Sequence, residues 1–417
     1  MHKILIKERT IIGALFLLYM CGLSGHKLGT GFDAFFCRIT FILLLGAMLL
    51  FILLGQPRKK IRIWGPTINR VLFFSFYLIS VLWAINKNHV YDASVVNRLI
   101  QCVAMTFFAE VYLVSSEDCR RFLKIILWSI VYMSILLIIK TPFSEWGSER
   151  VGGALGLHPN DIGIRCACAL VISLYFFHQE KQYIYIIIAV LCGVVALFSG
   201  SRKAIVIVLL GFSIYWCGRE KGWRIILSVL ASCLAIVLLL YFVMTNDLLY
   251  NVLGKRLERF FLYAEGQAQD TSAIERAFYR NYAMNMFFRR PILGYGGNEF
   301  VAEMERIGYS HVAYSHCNYT EIAATLGIIG CILYYSIQFF PLLESICCSV
   351  LHHDQTMSIV AAIMIPLLLA DYYCVSYYDP FTQILVVVII LLERKHKVEK
   401  LETQRMKSYA KKNYTVL

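Results

Sequence analysis

The sequence predicts an all-α integral membrane protein of about twelve transmembrane helices, with one long external loop that carries amphipathic helices. Three observations predict it. Of the 417 residues, 59% are hydrophobic and 16% charged, whereas soluble globular chains average roughly 45–50% and 25%. The mean hydropathy is +0.64, and the apolar residues fall in runs of about 17–25, the length that crosses a bilayer as a helix. Basic residues collect between alternate runs, the charge asymmetry that orients a polytopic chain.

In order, the runs lie near 11–25, 34–55, 66–85, 98–115, 121–140, 161–178, 182–199, 203–217, 223–244, 318–342, 356–372 and 380–393. The first resembles a signal peptide, but no small-residue cleavage site follows it and more spans do, so it reads as a retained helix. An even number of spans puts both termini on one side. The tail from Arg394 to Lys412 is strongly basic, which makes that side the cytoplasm. The loops assigned inside agree, with Arg58, Lys59, Lys60 and Arg62, then Arg120, Arg121 and Lys124, then Lys181, then Arg219, Lys221 and Arg224; the Leu351–Gln355 turn is the exception. The net charge of +13 is therefore a matter of topology, and no nucleic-acid partner is needed to explain it. Cys102, Cys166, Cys168, Cys192, Cys233 and Cys331 lie inside apolar runs, where Cys acts as a small hydrophobe. With no CxxC, no Cys/His spacing, no P-loop and no GxGxxG, no metal, cofactor or soluble nucleotide donor is expected.

Residues 245–317 break the charge rule, as a long translocated loop can. Residues 251–263 and 272–288 have apolar positions at helical spacing with Arg on the other face, the pattern of amphipathic helices on the outer leaflet. Pro291 ends the second, and Gly294, Gly296 and Gly297 mark a turn. The chain otherwise reads as a single polytopic membrane domain over residues 1–417, without repeats.

Three external features carry chemistry. In Ser199-Gly200-Ser201-Arg202-Lys203, Arg202 sits at a membrane boundary, where a poorly solvated guanidinium calls for an anion and its fork suits paired phosphate oxygens; an Arg snorkelling to headgroups would occupy the same place. Arg276 and Arg280 lie one turn apart on one helix face, ahead of Arg289-Arg290-Pro291-Ile292-Leu293-Gly294-Tyr295-Gly296, and stacked guanidiniums there suit a diphosphate or an anionic lipid surface. Tyr314-Ser315-His316-Cys317-Asn318-Tyr319 stands where the chain re-enters the membrane, and an imidazole there can take a proton from a hydroxyl near neutral pH. His158 and His311 are also external, so pattern alone does not choose among the three. All three features fall on one side of the membrane, which suits a lipid diphosphate leaving group and an incoming hydroxyl. Arg165, four residues after Asp161, reads as a helical ion pair; with Glu110 it is the main intramembrane charge.

The succession LFSGSRKA, then an Arg fifteen residues before PILGYG, then SHCNYTEIAATLGIIG resembles the O-antigen ligase and polymerase superfamily, most strongly over residues 150–335, which include the 245–317 loop. The resemblance implies a bacterial inner-membrane enzyme, with its active site on the external face, that moves a glycan from undecaprenyl diphosphate to an acceptor hydroxyl. Arg202 matches the family's (S/T)xSR-type turn and Arg276 the Arg opening the loop helix, both holding the diphosphate. His316 matches the family His and would be the general base or orient the acceptor. Arg280, Arg289 and Arg290 are further candidates for contact with a lipid headgroup or the diphosphate, and Asn318 and Asn160 for contact with substrate, the last from a Gly152-Gly153 to Asn160 turn resembling one that shapes the family's cavity. The chain departs from the family pattern at Cys317, where Asn is usual, at Thr325, where an acid is usual, and at Arg280, where Trp is common.

The reaction so implied is a metal-independent, inverting displacement at the anomeric carbon. The wording of the motifs favours a polysaccharide polymerase, whose acceptor is another lipid-linked repeat unit, over a ligase, whose acceptor is lipid A core. Membrane lipids, a chain-length regulator and a flippase are the further partners the resemblance suggests. A transporter of lipid-linked sugars would also gather cations, but it tends to show internal repeats and more intramembrane charge.

Overall fold

A computed structural model describes residues 2–25, 32–54, 65–265, 271–309 and 314–414, and every regular element among them is helical. The helices are α1 (His2–Gly25), α2 (Phe32–Leu54), α3 (Pro66–Ile79), α4 (Lys87–Val90), α5 (Ala93–Tyr112), α6 (Ser116–Lys140), α7 (Pro159–Glu180), α8 (Ile184–Phe198), α9 (Arg202–Arg219), α10 (Trp223–Thr245), α11 (Asp247–Leu249), α12 (Lys255–Ala264), α13 (Thr271–Arg289), α14 (Glu299–Arg306), α15 (Asn318–His352), α16 (Gln355–Ala370) and α17 (Pro380–Tyr414). Each apolar run of the sequence lies on a helix. Six of the described helices are long and apolar enough to cross a membrane, and four more apolar stretches are shorter. The chain is a membrane protein. His311 and the basic 58–62 cluster lie outside the described residues.

Burial separates the helices by environment. The apolar part of α17 is the hub: Ile384 through Leu392 are at most 4% exposed, and α17 packs with α1, α5, α6 and α16. On α10 the reverse holds, with Leu230, Leu234, Val237 and Tyr241 between 58% and 68% exposed. A helix apolar all round and little covered by protein is one solvated by lipid. All 14 cysteines are free thiols, and Cys102, Cys166, Cys168 and Cys192 are buried among apolar side chains.

Two parts of the sequence reading change. The apolar face of α13 is covered by protein: Tyr279, Ala283 and Met286 pack with Ala324 of α15, since their i, i+4, i+7 spacing forms one stripe that α15 buries. Arg165 has Asp379 as its ion-pair partner, at 3.8 Å, and donates to the Leu23 and Ser24 carbonyls at 2.9 and 3.2 Å. These are among the last carbonyls of α1, which have no partner inside that helix; satisfying them ties α7 to α1.

The feature that positions the site is a break in α15. Gly327 has φ 64 and ψ −164 inside the helix, a conformation open essentially to Gly alone. The break frees backbone groups inside a membrane protein, where each needs a partner. The Pro291–Gly296 segment supplies them. Tyr295 and Gly296 N–H donate to the Ala324 and Thr325 carbonyls at 3.0 and 2.8 Å, while Ile328 N–H donates to the Pro291 carbonyl at 2.8 Å. The approach requires two glycines. A Cβ on Gly294 would stand 2.5 Å from the Thr325 carbonyl carbon, and one on Gly327 would stand 2.5 Å from that of Ile292. This backbone clasp fixes α13, which ends just before it, against the head of α15.

Candidate functional site

The site gathers at the ends of α7, α8, α9, α13 and α15. At the α8–α9 junction, Gly200 takes a positive φ of 59, which turns the chain so that Ser201 and Arg202 begin α9. The carbonyls of this turn hold arginines. Arg150 Nε donates to the Ser199 carbonyl at 2.8 Å and Arg256 Nη1 to the Gly200 carbonyl at 2.6 Å. Arg202 donates to the Arg256 carbonyl at 3.4 Å, and its guanidinium lies over the Phe260 ring, 5.2 Å from the centroid. Lys203 Nζ donates to the Tyr373 carbonyl at 2.6 Å, joining α9 to the turn after α16.

The head of α7 forms the adjoining wall. Gly152 has φ 138. His158 caps the helix, Nδ1 accepting from Asn160 N–H at 3.3 Å, and Pro159 at the first helical position needs no N–H partner. Burial pushes the His158 imidazole down; Asp161 opposes this, and Arg150, Lys203 and Arg276 reinforce it.

His316 sits in the left-handed region at φ 63, a conformation uncommon outside Gly and a frequent mark of functional sites. Its holder is visible. Glu321, 1% exposed, accepts from Ser315 N–H at 2.6 Å, and Ser315 Oγ donates to the Cys317 carbonyl at 3.0 Å. The imidazole is stacked on Tyr279 of α13 with centroids 5.9 Å apart and meets Tyr314 edge-on at 4.5 Å. Among the described residues neither ring nitrogen has a hydrogen-bond partner. Burial, then the charges of Arg276, Lys203, His158 and Arg280, push the imidazole down to about 4, so it is neutral, with one nitrogen open to accept a proton, at physiological pH.

Arg276 links the two halves of the site. Its charge acts on His316 and His158 on one side and on Arg150, with Arg202 and Arg256, on the other. Arg280, one turn further along α13, lies over the Tyr372 ring at 5.0 Å and also acts on His316. The other expected substrate contacts differ in their surroundings. Arg289 and Arg290 are exposed at the end of α13, Arg290 resting over Tyr295 at 4.7 Å. Asn160 is buried and accepts from Arg150 Nη2 at 2.7 Å. The Asn318 amide is spent within the fold: Nδ2 donates to Tyr335 and Asp371, and Oδ1 accepts from the Ser376 and Tyr377 N–H groups. An amide has two donors and two lone pairs, so Asn318 keeps nothing for a substrate.

Arg150, Arg256 and Glu321 are parts of this site that the sequence reading passes over. Arg150 stands in the connection between α6 and α7 without a repeating pattern around it, and Arg256, at the start of α12, is one of several arginines on the polar face of that stretch with no motif to single it out. Glu321 did carry a signal, an acid at the start of an apolar run, since intramembrane acids are costly and have a task.

No curated protein matches the chain. Residues 187–335, about a third of it, match the family model described as O-antigen ligase; these residues include the α8–α9 turn, α13, the glycine clasp and His316, and the match supports the resemblance of the sequence to the O-antigen ligase and polymerase superfamily.

Proposed function

We propose that the protein is a bacterial surface-polysaccharide polymerase, which moves a glycan from undecaprenyl diphosphate to a hydroxyl of a second lipid-linked repeat unit on the external face of the cytoplasmic membrane. The observation that carries the reading is the meeting, through Arg276, of a neutral His316 with the guanidiniums around the Ser199–Arg202 turn. A base and an anion cradle side by side are what a displacement with a diphosphate leaving group requires. The acceptor oxygen bonds to the anomeric carbon while the bond from that carbon to the diphosphate oxygen breaks. The electron pair leaves with the diphosphate, and the hydroxyl proton passes to His316. Attack from the face opposite the leaving group inverts that carbon.

The electrostatics couple the two halves. A base near 4 is weak, and the most effective catalytic base lies near the working pH. The charges of Arg276 and Arg280 that depress His316 are those a bound diphosphate neutralises, so donor binding raises the basicity of His316 when it is needed. Stabilising the departing diphosphate is the larger contribution, and losing Arg202 or Arg276 is expected to cost on the order of 10²–10³-fold in rate.

The second reading, a ligase that uses lipid A core as acceptor, is favoured by the description of the matched family as O-antigen ligase. The test is to reconstitute the protein with undecaprenyl-diphosphate repeat units and resolve the glycans by size. A ladder that disappears in His316→Ala and Arg276→Ala supports the polymerase. Transfer only after lipid A core is added supports the ligase. No product in either condition overturns the enzyme and puts a transporter of the same lipid first.

A further inference from the structure

The Ser199–Arg202 turn fastens more guanidiniums than the proposed reaction assigns. Successive carbonyls hold two of them: Ser199 O accepts from Arg150 Nε at 2.8 Å and Gly200 O from Arg256 Nη1 at 2.6 Å. The crowding there is tight, because a Cβ on Gly200 would meet Val252 O at 2.8 Å and Arg150 Cγ at 3.2 Å. Arg150 is steadied a second time by Asn160 Oδ1 at 2.7 Å. Its partners are thus a carbonyl and an amide, neutral groups that orient a guanidinium without balancing its charge. No carboxylate among the described residues pairs with it. Burial and the charges of Arg256, Arg276 and Arg202 all oppose its own charge, pushing it down to about 10. A half-buried cation held by neutral acceptors among other cations is a costly arrangement that an anion relieves. Nε and Nη2 are occupied, which leaves Nη1 of a fixed fork to meet that anion.

We infer that Arg150 is a further donor-binding residue, contacting the diphosphate together with Arg202 and Arg276, and that Asn160 and the Ser199 carbonyl are there to aim it. The inference rests on the donor reading above and adds to it a residue on the α6–α7 connection, outside the stretch that matches the family model. A phosphate group could reach this cluster of guanidiniums from a lipid-linked donor or from an anionic phospholipid headgroup, and the experiment separates the two.

Inorganic diphosphate is titrated by calorimetry into the full-length protein in phospholipid-free detergent, for the wild type, Arg150→Gln, Arg150→Lys, Arg276→Gln and the exposed control Arg259→Gln. Donor and acceptor KM values are then measured in reconstituted membranes, and binding to phosphatidylglycerol vesicles is measured in parallel. Arg150→Gln is expected to weaken diphosphate binding and raise the donor KM roughly ten- to a hundredfold, the worth of one hydrogen bond to a charged group. The acceptor KM stays put, Arg150→Lys, which keeps the charge without the two aiming bonds, recovers part of the loss, and Arg259→Gln matches wild type. A purely bracing role would be rescued by neither charge nor chemistry, so failure of Arg150→Lys to differ from Arg150→Gln overturns the inference. Normal diphosphate binding in Arg150→Gln alongside its loss in Arg276→Gln overturns it while the donor reading stands. A defect confined to phosphatidylglycerol vesicles also overturns it, in favour of a headgroup contact. Absence of diphosphate binding by the wild type overturns both.

Discussion

Replacing Glu321 with Ala removes the acceptor of the Ser315 N–H bond, which is 2.6 Å long and buried. A hydrogen bond to a carboxylate contributes roughly 1.5–3 kcal/mol. The left-handed conformation of His316, at φ 63, costs a residue other than Gly about 1–2 kcal/mol. The two magnitudes are comparable, so the bond is sufficient to hold the turn and its loss releases it. Converted at 1.36 kcal/mol per tenfold, Glu321→Ala should lower kcat by roughly 10- to 100-fold. Donor KM should change little, because Arg202 and Arg276 are held by other elements. Glu321→Gln keeps an oxygen in the same place and should retain most of kcat, which separates loss of the hydrogen bond from the cavity that Ala also creates. The assay is the initial rate of glycan transfer at saturating donor and acceptor, with a thermal melt of each variant beside it. Wild-type kcat in Glu321→Ala, or equal losses in the Ala and Gln variants, would refute the reasoning.

Other expectations follow from the same structure. Gly327→Ala forces a Cβ into the Ile292 carbonyl at a positive φ, and should lower stability by at least the roughly 1–2 kcal/mol of the conformation alone. Gly46→Ala, in the α2 helix with nothing within 4 Å, should raise stability by about 0.5–1 kcal/mol; thermal midpoints of the two variants compare them directly. The acid limb of kcat, which reports the donor complex, should lie at higher pH than that of kcat/KM for the donor, which reports the free enzyme with His316 near 4; coincident limbs would count against coupling between donor and base. Because the folded imidazole is harder to protonate than the unfolded one, His316 also makes the fold lose stability as pH falls from about 6.5 towards 4, and His316→Gln should flatten that slope in acid melts. Just past the far end of α15, Asp354 is partly buried, which raises it, but hydrogen bonds from His396 and Lys400 outweigh this and hold it below the usual range. Its stabilising contribution is therefore full above pH about 4 and lost as pH falls further, so Asp354→Asn should lower the thermal midpoint at pH 7 and much less near pH 2.

The elements that sequence made legible are those with a strong periodic or compositional cause. Apolar runs of bilayer length became helices, and α13 was readable because Tyr279, Ala283 and Met286 repeat at helical spacing. His316, Arg202 and Arg276 could be picked out from motif alone, and the fold sets Arg276 between the neighbourhoods of the other two. Less legible was what depends on long-range backbone contact. Nothing local to LGIIG says that a segment some thirty residues earlier will complete the helix there. Arg150 and Asn160 meet across a turn in which neither is periodic, and the Asn318 amide could not be seen to be saturated until Asp371, Ser376 and Tyr377 came beside it.

The clasp between Pro291–Gly296 and the broken α15 also bears on how such a protein can be recombined. In most membrane proteins an external loop can be exchanged at its two ends, because the spans keep their own backbone hydrogen bonds. Here the carbonyls of Ala324 and Thr325 and the N–H of Ile328 depend on the segment that follows α13, so that segment is part of the backbone accounting of α15. A chimera that takes α13 and its following turn from one relative and α15 from another would have to match two glycine sites to each other across the junction. The inheritable unit is the stretch from α13 through the first half of α15, and a graft cut at the membrane surface would leave a helix with its middle undone.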